Sequence, residues 1–205
     1  LGAHQIVNAA TAITALRIAA ANGLPIGAEA LAAGLRRVQW PGRLEVLSRE
    51  PLLVVDGAHN DDSAQKLAQA LRDVFGREDW TLIIGVSADK DIPAILDALL
   101  PAASRIIVTR ARSVRAADVE SLGRQITDRG VEVALTPAVS AAIDLALTYA
   151  APTIVTGSLF TVADARAAWF ARTGRALDTD ECPPIIPHFS LRVLHFDLSP
   201  TCARI

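Results

Sequence analysis

From Arg43 onward, short apolar runs alternate with longer stretches of mixed character. Leu44 to Leu47, Leu52 to Val55, Thr81 to Val86, Arg105 to Thr109, Val131 to Leu135 and Thr153 to Thr156 have strand length and strand residues. Asp61 to Phe75, Ile92 to Leu100, Ala116 to Arg129, Ala138 to Ala150 and Thr161 to Arg172 place apolar residues at helical spacing. Strands that are apolar on both faces and alternate with helices predict a parallel sheet covered by helices, an α/β fold. The runs around Val54, Ile83, Ile107 and Ile154 are expected at its centre. Pro101, Pro137 and Pro152 fall in the connections, where a missing N–H costs nothing.

Before Arg43 the pattern is different. His4 to Ala21 is an Ala-rich helix ended by Asn22-Gly23 and Pro25, and Gly27 to Arg37 is a second, shorter one. Val38-Gln39-Trp40-Pro41-Gly42 then breaks the pattern and is expected to link two units. After Gly174 the alternation fails. Cys182-Pro183-Pro184 and Pro187 interrupt any helix, and Ser190 to Leu198 reads as an extra strand without a partner. The expected organisation is therefore 1–37, a linker at 38–42, an α/β domain over 43–175, and an atypical tail over 176–205.

Composition narrows the classes. Half of the 205 residues are hydrophobic, enough for a substantial core. A net charge of -2 gives no bulk attraction to nucleic acid. No apolar run reaches the roughly 20 residues of a membrane helix. Cys182 and Cys202 make neither a metal motif nor a disulfide framework, which fits a reducing cytoplasm. The chain starts at Leu1 and contains no Met, so it is read as part of a longer protein.

The chemistry gathers at strand ends. Asp56-Gly57-Ala58-His59-Asn60 closes one apolar run. Gly85-Val86-Ser87-Ala88-Asp89-Lys90-Asp91, Thr109-Arg110-Ala111-Arg112 with Arg115, and Thr156-Gly157-Ser158 close three others. Parallel strands bring such ends to one edge, where open α/β sheets bind ligands. Each cluster also has a plain structural reading: Asn60, Asp61, Asp91 and Ser158 as helix caps, Lys90 and the arginines as surface charge, Arg43 and Glu45 as a surface ion pair. His4 and Asn8 share one face of the first helix, as a helix-start cap or as part of a site. Lys66 and Lys90 are the only lysines and neither follows a glycine, so the chain carries no Gly-Lys-Ser/Thr phosphate loop.

Taken in order, Gly2-x-His4-Gln5-x-x-Asn8-Ala9-Ala10-Thr11-Ala12, Trp40-Pro41-Gly42-Arg43-Leu44-Glu45, Asp56-Gly57-Ala58-His59-Asn60, Asp89-Lys90-Asp91 and Thr156-Gly157-Ser158-Leu159-Phe160 resemble the folylpolyglutamate synthase/dihydrofolate synthase branch of the Mur ligase family. The resemblance spans about Leu1 to Arg172. It implies the last two helices of a central ATPase domain, here truncated, followed by the C-terminal domain, an α/β Rossmann-like, mostly parallel sheet with helices on both faces. It also implies an ATP-dependent ligase that joins L-glutamate to dihydropteroate or folate through an acyl phosphate. The phosphate loop and Mg2+ ligands would then lie upstream. By motif, Asn8, Arg43 and Asp56 match nucleotide-binding positions, Asp56 at the ribose. His59 and Ser158 match glutamate-site positions, with His59 the catalytic candidate. Asp89 and Lys90 line the same cleft. No metal ligand is assigned within this chain, and a cytoplasmic monomer is implied. Phe160 stands where the family commonly has tyrosine, and the tail matches no family ending. Another Mur-type amino-acid ligase, or a non-catalytic Rossmann-like binding module, are the alternatives.

Overall fold

The computed structural model describes residues 3–174. The tail, with the expected strand at Ser190 to Leu198, lies outside the described residues. These residues divide into two compact units, one ending at Gln39 and the other starting at Trp40. The first contains helices α1 (Ala3–Ala21) and α2 (Ala28–Arg37).

The second unit is built on six strands: β1 (Glu45–Arg49), β2 (Leu52–Val55), β3 (Trp80–Ile84), β4 (Ala103–Val108), β5 (Val133–Leu135) and β6 (Thr153–Thr156). Their order is β1-β2-β6-β3-β4-β5. All neighbours pair in parallel except β1, which runs antiparallel to β2. Helices α3 (Asp61–Phe75), α4 (Ile92–Leu99), α5 (Val119–Thr127), α6 (Val139–Thr148) and α7 (Leu159–Thr173) connect or follow the strands.

Successive strand residues feed two separate cores, as the period of two requires. Leu82, Ile84, Ile106, Val108, Val54 and Ile154 pack with Leu67 and Leu71 of α3, Ile95 of α4 and Ile126 of α5. Ile83, Ile107, Val55 and Val155 pack on the opposite face with Ile143 of α6 and Val162, Trp169 and Phe170 of α7. At about 1.5–3 kcal/mol for each fully buried large apolar side chain, these two layers dominate the fold's stability. The central strands around Val54, Ile83, Ile107 and Ile154 lie inside the sheet as expected, and β1 and β5 are its edges.

Several boundaries shift for local reasons. β3 stops at Ile84 rather than Val86, because the chain turns away at Gly85 toward its loop. α5 is shorter than its apolar pattern. Asp118 caps it by accepting from the Ser121 amide at 2.8 Å, and Ala116 pairs instead with Ser87 in a short antiparallel bridge. α7 starts two residues early because Ser158 accepts from the Phe160 and Thr161 amides.

Candidate functional site

The carboxyl ends of β2, β6, β3, β4 and β5 share one edge of the sheet. The antiparallel β1 adds its start to that edge, since Glu45 pairs with Val55. Four strand-end loops and the Trp40–Leu44 turn therefore meet there, and direct contacts lock them to one another.

The turn before β1 is held by two buried carboxylates. Glu45, 2% exposed, accepts from the Gly42 amide at 2.6 Å and from Arg166 Nε of α7 at 2.9 Å. Asp56, 5% exposed, accepts from the Leu44 amide at 2.8 Å and the Ala58 amide at 2.9 Å. The Gly57 amide donates to the Gly42 carbonyl at 2.8 Å. Arg43 stands between these anchored neighbours, its guanidinium 5.6 Å from the centre of the Trp40 ring. Gly42 has φ +76° and Leu44 has φ +44°, a left-handed conformation that a branched side chain resists. Such strain persists only where surrounding contacts over-determine it. Here the two carboxylates supply those contacts, and the result is one arginine presented at the sheet edge.

Glu45 is thus not half of a surface pair with Arg43. Its partner is Arg166, 121 residues further on, and sequence spacing carries no trace of that contact. The acidic residue beside Pro-Gly-Arg was the only available signal.

The loop after β2 touches the loop after β6. The Gly157 amide donates to the Ala58 carbonyl at 3.0 Å. Gly157 has φ +102°, and a Cβ there would lie 2.8 Å from the Gly85 carbonyl oxygen, so only glycine allows the β6 and β3 loops to close on each other. The Thr161 hydroxyl reinforces that closure by donating to the Gly85 carbonyl at 2.7 Å. His59 is half-buried. Its Nδ1 lies 2.8 Å from the Gly57 carbonyl, which can only accept, so Nδ1 carries the proton and the neutral ring has its lone pair on Nε2. Asn60 caps α3 in a reciprocal box with Ser63, accepting from its amide at 2.9 Å. Ser158, 4% exposed, caps α7.

The loop after β3 carries Asp89 and Lys90. Asp89 Oδ2 accepts from Arg115 Nη2 at 2.8 Å, and the Lys90 ammonium lies 3.6 Å from the same oxygen. The Arg115 hydrogen bond holds the Asp89 carboxyl below the usual carboxylate range. Asp91 caps α4.

Of the positions expected from the motifs, Arg43, Asp56, His59, Asp89, Lys90 and Ser158 lie on this one edge. Asn8 does not belong to this unit. It lies on α1, with its amide donating to Gln5 Oε1 at 3.3 Å. A cavity of about 490 Å³ opens at the far end of the same edge, between the loop after β4, the start of α6, and α7. Arg110, Arg112, Ser140 and Asp164 line it, and Arg43, Asp56, His59 and Ser158 do not. Arg112 is bound there to Asp164 through both its amide and its guanidinium, which anchors the β4 loop to α7.

The Mur ligase glutamate ligase domain profile matches residues 42–159, more than half of the chain. The chain belongs to the Mur ligase family. All six residues gathered at the edge fall inside the matched span, and Asn8 falls outside it. This Mur ligase chain is 38% identical over 187 residues to a Haloferax volcanii protein named a probable bifunctional folylpolyglutamate synthase/dihydropteroate synthase, covering 87% of this chain and 22% of that protein. Mycobacterium tuberculosis folylpolyglutamate synthase, solved with ADP and AMPPCP, is similar with a TM-score of 0.76 and 32% identity, over 82% of this chain and 40% of that one. E. coli FolC, solved with DHPP and ADP, is similar with a TM-score of 0.70 and 28% identity, over 81% of this chain and 39% of that one. The α/β parallel sheet read from the alternation, and the Rossmann-like fold that the resemblance implies, agree with these relatives. Among the described residues no helix is long and apolar enough to cross a membrane.

Proposed function

We propose that this chain is the glutamate-ligase portion of an ATP-dependent carbon–nitrogen ligase acting on dihydropteroate or folate. The observation that carries the reading is the interlocked edge. Five segments distant in sequence are bound to one another there, and they bear an arginine, a lysine, an imidazole and a buried carboxylate. The relatives' names point to the same chemistry.

In the proposed reaction, a carboxylate oxygen of the acceptor attacks the γ-phosphorus of ATP and ADP leaves. The glutamate amine then attacks the acyl carbon, and phosphate departs from the tetrahedral intermediate as the amide forms. Such chemistry depends mostly on positioning and on neutralising phosphate charge. Arg43, held in its strained turn, reaches the nucleotide phosphates. Asp56, its orientation set by the Leu44 and Ala58 amides, meets the ribose hydroxyls. Lys90 attracts an anionic group of substrate. The lone pair on His59 Nε2 suits removal of a proton from the incoming amine, and the Ser158 hydroxyl helps to orient glutamate. Asn8, on α1, matches a nucleotide-binding position of the family motif.

Magnesium would neutralise phosphate charge when bound. Among the described residues no three His, Cys, Asp or Glu side chains gather as a metal site.

The deciding experiment measures glutamate-dependent phosphate release by the complete protein with dihydropteroate, folates and UDP-muramyl precursors. Release with a pterin acceptor supports the proposal. Turnover only with a muramyl precursor would assign a different Mur-type ligase. Nucleotide binding without turnover on any acceptor would reduce the edge to a binding module.

A further inference from the structure

The ligase reading uses Lys90 and leaves Arg115 without a task. Arg115 stands 25 residues after Lys90, on the loop that follows β4, yet two kinds of contact, backbone and side-chain, tie that loop to the Lys90 loop. The Ala88 amide donates to the Arg115 carbonyl at 2.8 Å, and the Ala117 amide donates to the Val86 carbonyl at 2.9 Å. Ser87 and Ala116 form an antiparallel bridge between them. The Arg115 guanidinium donates to Asp89 Oδ2 at 2.8 Å, the same oxygen that lies 3.6 Å from the Lys90 ammonium.

The geometry matters because Asp89 and Lys90 are adjacent. A carboxylate next to a lysine pairs with it unless a better donor is present. A guanidinium is that donor: it is weakly hydrated and offers several N–H groups in a fixed fork. Both cations sit on the one Asp89 oxygen: Arg115 hydrogen-bonds it at 2.8 Å, and Lys90 is held at the longer ion-pair distance of 3.6 Å.

We propose that Arg115 is a positioning residue for Lys90: by occupying the Asp89 carboxylate and zipping the β3 loop to the β4 loop, it keeps the Lys90 ammonium available to an anionic group of the substrate. This inference rests on the reading of the edge as a ligase site. As a purely structural ion pair, the contact would have little value. Arg115 and Asp89 are about half exposed, and water and salt screen such surface pairs, so they add little to stability. Removing Arg115 should therefore leave the fold intact and act on Lys90.

The chain offers a direct probe, since Lys66 and Lys90 are its only lysines. Lys66 is paired with Asp62 on α3, away from the loop, and serves as internal reference. Amine acetylation of the 205-residue chain, followed by mass spectrometry, reports how tightly each ammonium is held. In Arg115→Gln, Asp89 turns to Lys90 and acetylation of Lys90 slows several-fold relative to Lys66. Adding Asp89→Asn removes the competing carboxylate and restores the rate.

In the complete protein, Arg115→Gln raises KM for glutamate about tenfold with kcat held within about twofold. Arg115→Lys recovers part of that loss. On an Asp89→Asn background, Arg115→Gln adds nothing, the signature of a coupled pair. An unchanged Lys90 acetylation rate and KM in Arg115→Gln, or a double variant as impaired as the single one, would overturn the inference. Lys90→Ala separates the two levels. If it raises KM while Arg115→Gln does not, the inference alone fails. If Lys90→Ala leaves KM unchanged, the reading of Lys90 as a substrate contact fails and the inference with it.

Discussion

Arg43 owes its position to the residues that anchor its neighbours. Its amide neighbours on both sides are bound by Glu45 and Asp56, and Glu45 in turn is held by Arg166. The two roles make opposite predictions. Arg43→Ala removes a half-buried cation whose backbone stays anchored, so urea denaturation should show a change within about 0.5 kcal/mol, while ATP-dependent ligation by the complete protein falls steeply. Arg166→Leu removes the guanidinium bound to the buried Glu45 carboxylate, and breaking such a buried pair costs about 3 kcal/mol or more. Urea denaturation of the chain should show that loss, with the Trp fluorescence of Trp40 and Trp169 reporting the turn and α7. A shift of less than about 1 kcal/mol would mean that water reaches Glu45 and replaces the guanidinium. Asp56 shows how far a residue type can be read in advance. A carboxylate after an apolar run was legible as an acceptor at a strand end. That its oxygens accept from Leu44 and Ala58 was not, because the first of those amides lies on a different strand's approach.

Among the elements, the loops behave as a connected set rather than as four independent tips. The β2 loop is bound to the β6 loop through Gly157 and Ala58, the β6 loop packs on the β3 loop at Gly85, and the β3 loop is zipped to the β4 loop through Ala88 and Arg115. The last link has a pH dependence with a definite sign. The Arg115 hydrogen bond lowers the Asp89 carboxyl below its ordinary value, so the folded state favours the charged form. The link is then fully present above the ordinary aspartate range. It is lost only as pH falls through the lower, folded value. Carboxyl-carbon NMR should find Asp89 titrating below the ordinary aspartate value, with Arg115→Gln moving it back up. A titration unchanged by that substitution would mean that the ion pair does not form in solution. Helix caps were the most legible part of this level. Asn60, Asp91 and Ser158 all cap as their types suggest, because a cap needs only residues three positions apart.

For the whole molecule, the sheet order decides what can meet. β6 lies between β2 and β3, so the last strand brings Gly157 and Ser158 between the loops that carry His59 and Lys90. This arrangement gathers the strand-end loops at one edge, in a chain that carries no Gly-Lys-Ser/Thr phosphate loop. The chain spans 22% of the Haloferax volcanii relative's length and 40% of the solved Mycobacterium tuberculosis chain. We expect the 205-residue chain alone to release no glutamate-dependent phosphate, and the complete protein to do so with a pterin acceptor. Turnover by the chain alone would show that its own cations suffice to hold the transferred phosphoryl group.

The order of strands and helices, their apolar faces, and the residues at each strand's carboxyl end were determined by the sequence, because periodicity, caps and turn residues act over a few positions. The family motifs belong to the same level, since each is a contiguous run. Tertiary structure alone decided that β1 turns antiparallel, that β6 inserts between β2 and β3, that Glu45 pairs with Arg166, and that Arg115 competes with Lys90 for Asp89. Those outcomes depend on which surfaces pack when two cores close on one sheet, and contacts up to 121 residues apart leave no local pattern from which to read them.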